Sequence, residues 1–153
     1  MACPFFLPIA RLTTEDWIHA PRLPLGDPYR GECRVPVESP QPAEPAREGF
    51  EPSQLAERAA FEPTENEQRE LCNCGYARGR CQRFPADAPD AVRFSMTADS
   101  KLVWILERDH APIEFGFTDE LSIGALQNEV LREQARAFIE TYRRKSAVLG
   151  AGA

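Results

Sequence analysis

Hydrophobic and polar positions divide the chain into two halves with different rhythms. From residue 91 the pattern is regular. Val92, Phe94 and Met96 alternate with polar neighbours, and Lys101–Glu107 reads as a more buried strand. Ala98-Asp99-Ser100 supplies a turn between them, and Ile113, Phe115 and Phe117 alternate again after Arg108–Pro112. This predicts a three-stranded antiparallel meander. Ile123, Leu126, Val130, Leu131, Ala135, Phe138, Ile139 and Tyr142 then recur at helical spacing. They predict an amphipathic helix over residues 120–146, with Arg143, Arg144 and Lys145 favoured at its C-terminal end by the helix dipole. The last residues, from Leu149 on, are expected to fray.

Before residue 91 that regularity is missing. Residues 1–34 are apolar but interrupted by Pro4, Pro8, Pro21, Pro24 and Pro28 with Gly26 and Gly31. They predict an extended arm with at most one short turn near Thr14, packing Phe5, Phe6, Ile9, Leu12 and Trp17 against the remainder. Residues 35–63 are a Pro/Glu-rich connection, with a short helix expected over Ser53–Ala60. Residues 64–85 form a cysteine-bearing segment. Thr64 and Glu67 make a capping-box pair for a helix that runs through Leu71 and breaks near Gly75 or Gly79. The expected fold is α+β and a single domain: residues 91–146 form the core, with the irregular N-terminal half wrapped around it.

Composition narrows the function classes. The 153 residues suffice for one domain with a true core, and 42% are hydrophobic. A net charge of -6 disfavours general binding to nucleic acid or anionic membrane. No stretch approaches the roughly 20 apolar residues of a membrane span. The start, Met1-Ala-Cys-Pro-Phe-Phe-Leu-Pro8, lacks the basic and continuous apolar regions of an export signal, so the expected location is the cytoplasm. Disulfides are rare there, so five cysteines point to metal binding or thiol chemistry.

Those cysteines follow the spacing C-x29-C-x38-C-x-C-x6-C, at Cys3, Cys33, Cys72, Cys74 and Cys81. Structural zinc sites usually use C-x2-C knuckles or mixed Cys/His sets, and the chain has neither. A cluster of iron and sulfur takes four thiolates from scattered segments more readily. Pro4 after Cys3, the glycines at 75 and 79, and the charges of Arg78, Arg80 and Arg83 suit such a ligand set. On a helix, Cys72 and Cys74 would lie about 200° apart around the axis, so both cannot easily face one site. The expected ligands are Cys3, Cys33, Cys72 and Cys81, with Cys74 in reserve. The expected cofactor is one [4Fe–4S] cluster, structural or passing single electrons to a protein redox or assembly partner. The alternatives are a protein-interaction module with a structural zinc or no metal, and a thiol-redox protein, in which nearby arginines lower a cysteine pKa.

The opening Met-Ala-Cys-Pro-Phe-Phe, the stretch Pro24-Leu-Gly-Asp-Pro-Tyr-x-Gly-x-Cys33, and Cys72-Asn-x-Gly-Tyr-Ala-Arg-Gly-x-Cys81-x-x-Phe-Pro85 together resemble an uncharacterised group of bacterial proteins. The resemblance spans most of the chain and carries no assigned function. It implies that position 74 need not be cysteine.

Other candidates are weaker. Asp99-Ser100-Lys101 has a D-x-K form found in some nucleases, but it falls in a hairpin turn without an accompanying set of acids. His110 reads as a solvated loop residue and His19 as a packing residue beside Trp17. Arg78, Arg80, Arg83 and Arg93 could also form a small anion or partner patch. No nucleotide-binding or hydrolase motif is found, so an enzyme is not the favoured reading.

Overall fold

The computed structural model describes residues 2–13, 23–36 and 61–150. The fold is α+β, with one two-stranded and one three-stranded antiparallel sheet and a long C-terminal helix. Strands β3 (Ala91–Met96), β4 (Leu102–Arg108) and β5 (Ala111–Thr118) form the expected meander, in the order β3-β4-β5. The Asp99-Ser100-Lys101 stretch lies in the β3–β4 turn, where Ser100 takes φ 62°. Asp109 and His110 close the β4–β5 turn with φ of 50° and 63°. Two positive φ values match the twist of the strands they join.

Period-two alternation sends Val92, Phe94 and Leu102 into the core. There Phe94 stacks on Phe138 of the C-terminal helix at 5.6 Å between ring centroids.

That helix, α2 (Glu129–Gly150), starts later than the 120–146 expectation and ends later. Residues 123–125 form a separate 3₁₀ turn, and Leu126 is extended at ψ 121°. The helix begins only after Asn128, whose Oδ1 accepts from the Leu131 N–H at 3.0 Å. An N-cap side chain thus overrides the apolar periodicity, because it satisfies a backbone donor that no preceding turn can. Leu149 and Gly150, expected to fray, still belong to the helix.

The arm is more ordered than its prolines suggest. Strands β1 (Phe6–Arg11) and β2 (Tyr29–Cys33) pair antiparallel, with Phe6 opposite Cys33 and Arg11 opposite Tyr29. This corrects the expectation of an arm without regular structure. Pro8 is tolerated because the ladder slips between Pro8 and Ala10 in a sheet of only two strands. Ile9, expected to pack, is 61% exposed, whereas Phe6 is buried. Ahead of β1, Ala2 exchanges two backbone hydrogen bonds with Val92 and so bridges the outer edge of β3 at that residue.

Helix α1 (Glu65–Glu67) carries the expected capping box: Thr64 Oγ1 accepts from the Glu67 N–H, and the Glu67 carboxylate accepts from the Thr64 N–H. It widens into a π turn over Gln68–Cys72 and unwinds at Gly75, where φ is 68°. Trp17, His19 and the Ser53–Ala60 segment lie outside the described residues.

Candidate metal centre

Four of the five cysteines gather where the N-terminal hairpin meets the π turn. The Cys3 N–H donates to the Cys72 carbonyl at 3.0 Å, which ties the first segment to the turn. Cys33 ends β2 opposite Phe6, and its N–H donates to the Phe61 carbonyl at 2.7 Å. Cys81 lies beyond the Gly75–Gly79 loop, its N–H held by the Ala77 carbonyl at 2.8 Å. Phe84 closes this corner by meeting Phe5 edge-on, 5.7 Å between centroids. Cys3 and Cys72 are buried, and Cys33 and Cys81 are half-buried. Cys74 is exposed, and its thiol turns away to the Arg69 carbonyl at 3.4 Å.

Electrostatics places the same four side chains together. Burial raises the Cys3 thiol to about 12, and the neighbouring Cys33 and Cys81 sulfurs push in the same direction. Burial also raises Cys72, followed by Cys3, Cys33 and Cys81. Cys33 is raised by burial and by Cys81. Groups that perturb one another in this way are close in space, and the raised values favour the neutral thiol at Cys3, Cys33 and Cys72. As placed, the sulfurs are not drawn to coordination distance: among the described residues, no three Cys, His, Asp or Glu side chains form a ready-made metal-binding group.

Three amides that the sequence pattern did not single out hold this corner. Asn73 is 1% exposed. Its Oδ1 accepts from the Tyr29 N–H at 2.9 Å, and its Nδ2 donates to the Tyr29 and Gln68 carbonyls. Gln68 accepts from the Gly31 N–H and donates to the Pro63 carbonyl. Gln134 of α2 donates to the carbonyls of both Cys3 and Phe6, at 2.8 and 2.7 Å. Each amide satisfies main-chain groups that an irregular arm cannot pair with its own backbone. One signal was available: Gln134 is a polar residue in the apolar stripe of the helix, one turn from Val130 and Phe138.

Each arginine of the motif has an acidic partner, and the Arg83 charge also acts on Cys33, lowering its thiol pKa against the effect of burial. Arg78 pairs with buried Asp90 at 2.9 Å and donates to the Ala88 carbonyl, clamping the loop to the sheet. Arg80 lies 3.8 Å from Glu70. Arg83 pairs with Glu67 and covers the Phe61 ring at 3.3 Å. Arg93 pairs with buried Glu107 at 2.9 Å. With an acidic neighbour at each, the four do not make a free anion patch.

Tyr76 donates to the same Glu107 at 2.7 Å, and its ring stacks on exposed His110 at 4.5 Å. Burial and the Glu107 hydrogen bond raise its phenol to about 12.

Comparison with protein-family models, with curated proteins and with solved structures gives no match to this chain. Among the described residues no helix is long and apolar enough to cross a membrane.

Proposed function

We propose that the chain is a small metalloprotein in which Cys3, Cys33, Cys72 and Cys81 hold one iron–sulfur cluster of the [4Fe–4S] type. The observation that supports it is the convergence of four thiols from three separate parts of the chain into one corner, while the fifth cysteine turns outward. A set of sulfur donors without histidine or carboxylate suits such a cluster. When bound, it would supply single-electron exchange and four metal–sulfur bonds across the corner. Gln134 fixes the carbonyl of Cys3, Asn73 fixes the end of the π turn after Cys72, and the Phe5–Phe84 contact ties the first segment to the one after Cys81. Because two of the donors anchor an arm with little core of its own, a structural role is favoured over a purely redox one.

Anaerobic purification tests the reading. Iron and acid-labile sulfide should co-purify with absorbance near about 400 nm, and should be lost on Cys→Ser substitution at 3, 33, 72 or 81 but kept in Cys74→Ser. One equivalent of zinc in colourless protein would replace the reading with a structural zinc module. Metal-free protein with rapidly reacting thiols would replace it with thiol-redox chemistry. Loss of metal in Cys74→Ser with retention in Cys3→Ser would sink the ligand set.

A further inference from the structure

The two edges of the three-stranded sheet differ. Ala2 bridges β3 at Val92, whereas among the described residues nothing pairs with the outer side of β5. Strand β5 is eight residues long, and Ile113, Phe115 and Phe117 on its outward face are 51%, 65% and 61% exposed. The two phenylalanine rings meet edge-on at 6.1 Å. Edge strands are normally blunted by lysines, central prolines, bulges or shortness. Here there is no lysine, while Pro112 and the bulge opposite Leu106–Glu107 both lie near the strand's start, leaving 113–118 regular.

We propose that β5 pairs antiparallel with β5 of a second copy, about a twofold axis at Phe115. Charge and register select this occupant. In this register Phe115 faces the partner's Phe115, and Ile113 faces the partner's Phe117. Glu114, the only charged residue of the strand, faces the partner's Gly116. Centring the pair on Glu114 would set two carboxylates against each other, and centring it on Gly116 would set Ile113 against Asp119. Any intermediate register turns the apolar residues to opposite faces. The twofold contact pairs the β5 edge of one copy with that of the other and closes at a dimer with a six-stranded sheet.

Sedimentation equilibrium of the full chain, with hydrogen exchange on β5, tests this without reference to the cysteine site. A concentration-dependent dimer is expected, with amide protection across 113–117 that rises with protein concentration. Phe115→Lys should weaken self-association by about 30-fold or more while leaving the exchange of β3 and β4 and the far-ultraviolet spectrum unchanged. Phe115→Glu should do the same, and an equimolar mixture of the two variants should restore the dimer, which misfolded chains could not do. A monomer at about 100 µM would overturn the proposal. So would a dimer indifferent to Phe115→Lys, or β5 protection independent of concentration, which would mean that another segment of the same chain covers the edge.

Discussion

The meander with α2 and the cysteine corner are held together by different physics. In the meander, each strand is joined to the next by a short turn, so backbone pairing is local and the alternating side chains supply the burial. In the corner, Cys3, Tyr29, Asn73 and Gln134 come from positions up to 131 residues apart. Single amide side chains there do what a ladder does elsewhere. Regular structure spreads its stabilisation over many similar contacts, while the corner concentrates it in a few that have no substitute.

The sharpest way to break this contrast is Gly31→Ala. A methyl group there would stand 2.0 Å from the Leu7 carbonyl oxygen and 2.9 Å from the Phe6 ring. Backbone cannot move aside cheaply, so a cost of about 3 kcal/mol or more is expected. Hydrogen exchange should show β1 and β2 losing protection while β3 and β4 keep theirs. Simultaneous loss of both would mean that the two regions fold as one unit.

Asn73→Ala comes next. It removes three buried hydrogen bonds and strands the Tyr29 N–H and carbonyl, for about 3 kcal/mol in urea unfolding. A loss below about 1 kcal/mol would show that the corner does not depend on this amide.

Asp27→Asn gives a smaller effect with a pH signature. Asp27 is 4% exposed and pairs with Arg144 and Lys145 of α2. Burial pushes its carboxyl up, but the Arg144 hydrogen bond and charge, with Lys145 and Thr141, outweigh burial and hold it below the usual range. A depressed native pKa stabilises the fold above the unfolded value of roughly 4, and that contribution fades as pH falls through the lower native value. The variant should therefore lose about 1–2 kcal/mol at pH 7 and almost none in strong acid. An equal deficit at both pH values would mean that the contact acts through shape alone.

How much could be read in advance follows the same division. The meander, the capping box at Thr64 and Glu67, and the turn at Asp99–Lys101 were all legible, because each depends on residues within a few positions of one another. The β1–β2 hairpin was not. Its strands are separated by 17 residues, and β1 is buried at its first two residues and exposed over its last three, so it lacks the alternation that marks a strand. The start of α2 was misplaced because Ile123 and Leu126 keep helical spacing while belonging to a 3₁₀ turn and an extended residue.

The sequence by itself determined which side chains carry sulfur, where the strands of the core alternate, and that the apolar face of α2 must be covered. Short-range periodicity and residue chemistry suffice for each. Only the tertiary structure decided that Arg78 clamps the sheet, that Gln134 reaches back to Cys3, and that the Cys74 thiol goes to the Arg69 carbonyl. Those outcomes depend on burial. A buried main-chain group must find a partner wherever the fold supplies one, and sequence distance does not say where that will be.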